Sequence, residues 1–405
     1  MIEKTFFQRR QKLADLLNAN EMVVIFAASM PNYPRKFLQD NNFLYFTGLE
    51  IPEAVFVLKK VKNKIISELF IERGIPEREV WDGKKMTKEE AAELSGIEKV
   101  FFLDEFSDKI SAGLSETETC FVSFNYSTID KPLDKQQEFM RKSRNVFPQV
   151  RFANAVKLIR NLRVIKDEWE INQMKKAIEV TGMAILEIYQ KAKPGMKEYE
   201  LEAILQYHIL KNGLKHQGFL PIIAAGKNAT TLHYIRNDSE IGKNDLVLLD
   251  VGAACNNYSA DISRTFPVAG KFTDRQKAVY REVLNIQKEI IEMVKPRVGL
   301  VELNKKTNEL IAEALIRLKL ISDKKDFRKY YMHSVSHHLG MDTHDVGARD
   351  SVLEAGNVIT VEPGIYIPEE GIGVRIEDDI LVTENGYEIL SADIPKEIED
   401  LENLK

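Results

Sequence analysis

Cysteine and tryptophan are scarce in this sequence, with two of each among 405 residues. Cys120 and Cys255 are far apart along the chain, and their spacing matches neither a metal site nor a redox motif. We therefore expect two reduced thiols, which are typical of proteins in a reducing compartment. The sequence predicts a cytoplasmic protein.

Long apolar runs and an excess of basic residues are also missing. Residues 1–17 contain no apolar stretch of signal-peptide length, and no stretch approaches the ~18 apolar residues of a membrane span. The chain has 57 Lys and Arg against 62 Asp and Glu, whereas a phosphate-binding surface needs a basic excess. We expect neither a membrane nor a nucleic acid as a partner.

The length of the chain indicates two domains, because 405 residues exceed one ordinary domain. Residues 1–158 alternate short apolar runs with helical patterns such as Lys88–Leu94, which predicts a smaller α/β domain. This part has no cluster of His, Cys or acidic residues in apolar strands, so we expect a scaffold or a substrate-gating domain. Four runs are predicted to be strands: Met22–Ala27, Phe43–Phe46, Ala54–Leu58 and Ile65–Ile71.

One helical layout occurs twice in residues 159–405. Each copy begins with a capping-box pattern, continues to a Lys-Pro pair, and is followed by a second helix and then by strands. The residues are Asp167, Glu170, Lys193–Pro194 and Tyr199–Leu210 in the first copy, and Thr273, Gln276, Lys295–Pro296 and Leu303–Leu318 in the second. We infer an internal duplication whose two halves face each other across a cleft, where ligand sites are common.

Two aspartates interrupt strand-like runs in the first copy. Asp250 ends the run Leu246–Gly252, and Asp261 lies in Tyr258–Phe266, which follows a short polar turn. The two runs predict a hairpin. A carboxylate in such a setting is costly to bury unless it is paired, protonated or bound to a metal.

Two glutamates occupy matching places in the second copy, Glu362 after Val358–Val361 and Glu377 after Gly373–Ile376. Between the two pairs of acids lies a segment with four of the seven histidines, His333, His337, His338 and His344. If residues 333–338 are extended, His333 and His337 share a face and His338 points away.

Four carboxylates and an imidazole form a hard, oxygen-rich set of metal ligands. Two divalent cations carry four positive charges, which four carboxylates nearly cancel, whereas one cation would leave the site strongly anionic. Such a set suits a pair of Mn²⁺-like ions better than one Zn²⁺, which favours Cys and His. Two close metals can deprotonate a shared water at neutral pH, so the pattern predicts a two-metal hydrolase.

Each of these signals also has a simpler interpretation. Asp250 can be a strand-end residue, Glu362 before Pro-Gly a solvated turn residue, and Glu377 part of a surface charge run with Asp378 and Asp379. The histidines can be core residues with satisfied hydrogen bonds. The placement of the acids at matching points of a duplicated architecture favours the metal site.

With these residues in place, the chain resembles the creatinase/methionine-aminopeptidase ("pita-bread") superfamily of metallopeptidases, and within it the Xaa-Pro aminopeptidase (aminopeptidase P) family. The resemblance covers essentially the whole chain. It implies an N-terminal α/β domain, residues 1–158, followed by a pseudo-twofold pita-bread domain, residues 159–405. The matching motifs are Asn41–Gly48, Pro52–Ala54, Leu232–Tyr234, Asp250, Asp261, His333, His337, His344, Glu362–Tyr366 and Arg375–Glu377.

The resemblance also implies a role for each site residue. Asp250 would hold one metal, His337 and Glu362 the other, and Asp261 and Glu377 would bridge the two. His233, His333 and His344 would surround the substrate without binding metal, and Tyr366 and Arg375 would support the metal centre and the bound substrate.

The activity implied is release of the N-terminal residue from peptides with proline in second position, by attack of a metal-bridging hydroxide. His233 would help to stabilise the oxyanion, and Glu362 or His344 would pass a proton to the leaving nitrogen. Two alternatives remain: a prolidase, which cleaves only Xaa-Pro dipeptides, and, more remotely, a non-catalytic binding module with a peptidase fold.

The stretch Glu79–Gly83 resembles a region in which some family members send a Trp into the active site of a neighbouring subunit. The resemblance therefore implies a homodimer or homotetramer. The other interpretation of Trp81 is a residue of the local core.

Overall fold

The computed structural model describes residues 2–32, 35–124 and 128–404. The chain divides into two compact units, Met1–Leu162 and Arg163–Lys405, and each has its own apolar core. In these described ranges no helix is both long enough and apolar enough to cross a membrane.

Helices and strands alternate along the first unit. In chain order they are α1 (Ile2–Asp15), β1 (Glu21–Phe26), α2 (Asn41–Thr47), β2 (Val55–Val61), β3 (Lys64–Ile71), α3 (Pro76–Asp82), α4 (Lys88–Ser95), β4 (Lys99–Phe102), α5 (Phe106–Ser115), β5 (Thr119–Val122), α6 (Lys135–Val146), β6 (Arg151–Asn154) and α7 (Val156–Arg163). The strands form one mixed sheet in the order β4-β3-β2-β1-β5-β6. The predicted α/β class is confirmed.

Three of the four predicted strands are present as β1, β2 and β3, but the prediction of a strand at Phe43–Phe46 is wrong. This run lies in α2, because the Asp40 carboxylate accepts a hydrogen bond from the Phe43 amide and caps the helix. The whole stretch from Phe43 to Thr47 is buried. A helix that is apolar on every side lacks the periodicity that would have distinguished it from a buried strand.

Trp81 of α3 is exposed, with 86% of its surface accessible. The interpretation of Trp81 as a residue of the local core is therefore wrong. Val80 beside it is 85% exposed, so α3 presents an apolar edge to solvent.

The second unit contains five helices and eleven strands among its described residues. They are α8 (Glu168–Lys191), α9 (Glu198–Lys211), β7 (His216–Gln217), β8 (Ile222–Ala225), β9 (Leu246–Val251), β10 (Ala253–Cys255), β11 (Tyr258–Ser259), β12 (Ile262–Pro267), α10 (Asp274–Glu292), α11 (Leu300–Arg317), β13 (Val358–Val361), β14 (Gly364–Ile367), β15 (Ile372–Arg375), β16 (Asp378–Val382), β17 (Tyr387–Ile389) and α12 (Ile398–Asn403). The sheets have the orders β11-β10-β7, β12-β9-β8, β13-β16-β17 and β14-β15.

The order of these elements repeats, as the sequence predicted. The helix pair α8–α9 precedes β7–β12, and the pair α10–α11 precedes β13–β17. Both capping boxes are present: the Asp167 side chain accepts from the Glu170 amide, and the Thr273 hydroxyl accepts from the Gln276 amide.

The predicted aspartate hairpin is also present. Strands β9 and β12 pair antiparallel, and β10 pairs with β11 around a turn at Asn256 and Asn257. Both asparagines have positive φ, 49° and 64°, a conformation that asparagine tolerates better than most residues.

An extended segment, residues 335–339, runs antiparallel beside β13. Three backbone hydrogen bonds hold it there: Glu362 N to Val335 O at 2.8 Å, Thr360 N to His337 O at 3.0 Å, and Leu339 N to Val358 O at 2.9 Å. The histidine segment is therefore fixed to the second repeat by the same backbone pairing that holds a strand in a sheet.

We predict that Asp167→Ala lowers the free energy of unfolding by about 1 kcal/mol, because the start of α8 loses its capping acceptor. Urea unfolding followed by circular dichroism measures the change. Glu179→Ala, at an exposed position within the same helix, is the control and should be close to neutral. Equal effects of the two variants would contradict a specific role of the cap.

Candidate metal centre

The register of β9 and β12 brings the two aspartates to one face of the hairpin. Asp250 lies opposite Ser263, and one further step of the pairing sets Asp261 opposite Gly252. A Cβ at Gly252 would lie 1.9 Å from the Ala260 carbonyl oxygen, so only glycine allows this close approach of the strands. Residues two apart on a strand share a face, which puts both carboxylates on the same side.

The second repeat presents its two glutamates from one end of a strand pair. Val361 of β13 pairs with Asp378 of β16, so Glu362 just after β13 and Glu377 just before β16 follow this register. Glu377 is buried, and so are Asp378 and Asp379, while Glu362 is half-buried. The alternative of a surface charge run at 377–379 is therefore wrong.

The two repeats are joined directly at the acids. The Glu377 amide donates to the Ser263 carbonyl oxygen at 3.1 Å, and the Ser263 hydroxyl donates to Glu377 Oε2 at 2.7 Å. The Asp261 amide donates to Asp379 Oδ2 at 3.2 Å. Backbone and side-chain bonds thus fix the carboxylates of one repeat against those of the other.

His337 points its Nε2 into this group of acids, 3.4 Å from Asp261 Oδ2 and 3.5 Å from Glu362 Oε1. Its Nδ1 lies 3.0 Å from the His338 carbonyl oxygen, which can only accept, so Nδ1 carries the proton and Nε2 is free to bind a cation. Ligand atoms of Asp261, His337 and Glu377 lie within 4.8 Å of one another, close enough to hold one metal ion.

His338 points away from this group. Its ring lies over Gly347, and its Nε2 is 2.7 Å from the Ser351 hydroxyl. It is a buried core histidine, and burial lowers its pKa to about 4.

Burial and the charges of neighbouring acids both act on the titration of the carboxylates. Burial, together with the charges of neighbouring carboxylates, raises the pKa of Asp261, Glu362 and Glu377. Asp250 Oδ1 is buried, and no donor reaches it in the described part of the chain. A buried carboxylate oxygen with no donor, next to several other acids, is typical of a cation-binding site.

The charge balance of this group accommodates one or two divalent cations. Asp250, Asp261, Glu362 and Glu377 carry four negative charges when ionised, and Arg375, which bonds Asp250 Oδ2 at 2.6 Å, offsets one. With Arg375 counted, one divalent cation would leave a net charge of −1 and two would leave +1, so the charge count admits either number. The donor set, oxygen-rich with a single imidazole, fits hard divalent ions.

Arg375 organises a network behind the acids. Besides Asp250, it donates from Nε to the Ser263 hydroxyl at 2.8 Å and from Nη1 to the Tyr366 hydroxyl at 3.0 Å. His333 Nε2 lies 2.8 Å from the same Tyr366 hydroxyl. Because His333 is half-buried and lies near the charge of Arg375, its pKa falls to about 3, which keeps the ring neutral.

The remaining two predicted histidines lie on exposed loops at the same site. The His344 ring packs edge-on against His337, with centroids 4.4 Å apart. Burial, and then the nearby rings of His337 and His233, lower the pKa of His344. The charge of His233 also depresses the pKa of His333, so the three non-ligand candidates surround one space. All ten predicted site residues thus lie together.

Sequence reasoning missed the buried ion pairs that hold the His344 loop. Asp345 accepts from Arg163 at 2.7 Å and from Lys166 at 2.9 Å, and all three side chains are at most 3% exposed. Although burial opposes it, the charges of Lys166 and Arg163 lower the pKa of Asp345 to about 2. Arg163 also bonds the half-exposed Asp342 at 2.7 Å. The sequence did not predict this pairing because the partners are 179 and 182 residues apart along the chain.

Sequence reasoning also missed the support beneath Glu377. Arg264, fully buried, donates from Nη1 to the Glu377 carbonyl oxygen and from Nη2 to the Asp378 carboxylate at 2.7 Å. Lys396 bonds the other Asp378 oxygen. Ser263 lies two residues beyond Asp261 on the same face of the strand. This polar residue next to the acids was the sequence signal for the buried residues that support Glu377.

Comparisons with known proteins agree with this geometry. The model of metallopeptidase family M24 matches residues 172–384, and that of the aminopeptidase P N-terminal domain matches residues 6–121. The Xaa-Pro aminopeptidase of Escherichia coli strain K12 is 32% identical over 428 residues, which cover 98% of this chain and 97% of that protein.

Solved structures give the same result. A Bacillus anthracis protein described as a candidate aminopeptidase P superposes with a TM-score of 0.97 at 42% identity, covering 100% of this chain and 98% of that one. Zn-substituted E. coli aminopeptidase P in complex with product gives a TM-score of 0.91 at 30% identity, with the same coverage. The chain therefore belongs to metallopeptidase family M24 and, within it, to the Xaa-Pro aminopeptidases, which confirms the predicted family and pita-bread fold.

We predict that Asp345→Ala lowers the free energy of unfolding by about 3–5 kcal/mol, because Arg163 and Lys166 stay buried without their counter-charge. Thermal or urea unfolding of the metal-free chain measures the loss. Asp342→Ala removes a partner of the same Arg163 at the same distance, but at a half-exposed site, and should cost less than about 1 kcal/mol. Similar losses would contradict the buried pair as the source of stability.

Proposed function

We propose that this protein is a metal-dependent aminopeptidase that releases the N-terminal residue from peptides with proline in second position. The observation that carries the proposal is the joining of four carboxylates and His337 from both repeats into one cation-binding group. Membership of the Xaa-Pro aminopeptidases supplies the substrate class. We further propose residues 159–405 as the catalytic domain and residues 1–158 as its scaffold or gate.

We propose Asp250, Asp261, His337, Glu362 and Glu377 as ligands of two divalent ions, with Asp261 and Glu377 between them. The hydrogen bonds between the repeats support this arrangement, because Ser263 of the first repeat holds Glu377 and Asp379 of the second accepts from the Asp261 amide. When bound, the ions would supply an activated water and polarise the scissile carbonyl. We propose Mn²⁺ as the native ion, since hard carboxylate oxygens dominate the set; the Zn-substituted relative has a site that accepts another divalent ion.

The chain's own residues would bind and orient the peptide. His233 and His344 are exposed and face the same space, so His233 can donate to the carbonyl oxygen as it gains charge. Glu362 or His344 would hand a proton to the leaving nitrogen. Arg375 and Tyr366 would hold Asp250 and His333 in place behind the substrate.

The Xaa-Pro bond needs a site that does not depend on an amide N–H, because the proline nitrogen has none. We propose that His333 and the residues near His344 form the pocket for the proline ring. The neutral His333 ring is fixed by the Tyr366 hydroxyl and by its own contact with the Ser334 carbonyl oxygen, so it offers a stable wall.

We propose that the protein works in the cytoplasm as a homodimer or homotetramer. The two cysteines, both free and buried in the described structure, support a reducing compartment. The exposed Val80 and Trp81 on α3 support self-association, because a solvated apolar edge is stabilised when a second copy covers it.

The substrate assay separates this proposal from prolidase. With Mn²⁺ added, we expect cleavage of a Xaa-Pro-Xaa tripeptide, and chelation should abolish it. A matched Xaa-Pro dipeptide tests the alternative. Activity on the dipeptide alone would favour prolidase, and full activity after chelation would contradict the metal mechanism.

Glu377→Gln should nearly abolish turnover and weaken metal binding, with little effect on folding, because it removes one central charge and keeps the shape. Peptide hydrolysis, metal content by elemental analysis and circular dichroism measure the three effects. Glu388→Gln, at a half-exposed glutamate that pairs with Lys175, is the matched control. Normal kcat in Glu377→Gln would contradict the assignment.

A further inference from the structure

His233 lies on a loop whose neighbours are anchored while its own side chain is not. Leu232 and Tyr234 on either side are half-buried and pack against a small cluster, whereas His233 is exposed. The cluster contains Ile222, Ala224, Ala229, Leu248 and Tyr366. This alternation directs the His233 ring out of the packed surface and towards the other site histidines.

A buried carboxylate, Glu198, the first residue of α9, packs against this loop and accepts hydrogen bonds from it. Glu198 has no exposed surface. It accepts four hydrogen bonds: from the Ala225 amide at 2.8 Å and the Asn228 side chain at 3.0 Å on Oε1, and from the Tyr234 hydroxyl at 2.7 Å and the Ser239 amide at 2.9 Å on Oε2.

These four donors come from the beginning, the middle and the end of the segment 225–239. A carboxylate at a helix N-terminus is favoured by the helix dipole, and charge-assisted bonds are stronger than neutral ones. On its other side the segment lies against β15, where a Cβ at Gly373 would meet the Ala229 carbonyl oxygen at 2.1 Å. The segment is thus confined between Glu198 and the strand that carries Arg375.

We propose that Glu198 is a positioning residue that sets the place of His233 through the Tyr234 hydroxyl. This inference rests on the proposed function, because the role of His233 is part of it. Glu198 does not contact the reacting atoms; it fixes the backbone from which His233 projects. Errors of about 1 Å in the position of a catalytic group can reduce rates by two orders of magnitude. The hydrogen bonds of Glu198 to residues 225–239, here called the Glu198 clamp, would therefore affect the rate.

Tyr234→Phe tests the clamp with the loss of one hydroxyl. Because His233 would act on charge that develops in the transition state, we expect kcat on a Xaa-Pro-Xaa tripeptide to fall about tenfold with little change in KM. Glu198→Gln should cost more, because its amide group must face a donor on one side or the other.

Tyr387→Phe is the matched control. The Tyr387 hydroxyl also donates to a glutamate, Glu292 Oε1, at 2.8 Å, but it lies on β17 away from the site. We expect unchanged kcat and KM. An equal loss in both Tyr variants, or none in Tyr234→Phe, would overturn the inference.

A double variant tests whether Tyr234 acts through His233, because two substitutions that act through one group have effects that do not add. In a His233→Ala background, Tyr234→Phe should cause no further loss of kcat, because the group that it positions is already gone. A second full tenfold loss in the double variant would show that Tyr234 acts by another route and would overturn the proposal.

Hydrogen exchange gives a readout that does not depend on activity. In the metal-free chain, Tyr234→Phe and Glu198→Gln should speed amide exchange in residues 226–239 and leave other segments unchanged. Unchanged exchange in that segment would overturn the clamp. If the wild type cleaved no Xaa-Pro peptide, the proposed function would fail, and exchange would still decide whether Glu198 fixes the loop.

Discussion

The mutual repulsion of buried carboxylates is the constraint on which the rest of the catalytic unit depends. Asp250, Asp261, Glu362 and Glu377 lie so close that burial and their own charges raise the pKa of three of them. Such a group persists only where the surroundings hold it rigidly. The antiparallel strand pairs, the Ser263 joint and the Arg375 network provide that rigidity. The first is made by the backbone, and Ser263, Tyr366 and Arg375 are all buried.

The exposed histidines of the site and the buried residues that hold their loops in place are different residues. His233 and His344, the two histidines proposed to face the substrate, project from exposed loops, and each is followed directly by an anchored residue. Tyr234 is held by Glu198, and Asp345 is held by Arg163 and Lys166. The polar anchors are buried, so they exert their full electrostatic strength away from water. The histidines can therefore adjust their rings while their backbones remain fixed.

Much of this could be predicted from the sequence, and the exceptions share a cause. Capping boxes, the aspartate hairpin and the repeated helix pairs are local patterns, so Asp167, Thr273 and Asp250 could be placed from their neighbours. The helix at Phe43–Phe46 was missed because full burial erased its periodicity. Asp345 and Glu198 were missed because their partners lie far along the chain or are backbone amides, and neither leaves a signal in residue spacing.

The duplicated architecture has a thermodynamic consequence. Each repeat supplies only part of the proposed set of metal ligands, Asp250 and Asp261 from the first, and His337, Glu362 and Glu377 from the second. A cation that bonds both parts binds the assembled domain and not its separated halves. By mass action its binding free energy is then added to the stability of the whole unit. A cation bound by these residues would thus also act as a cross-link between the two repeats.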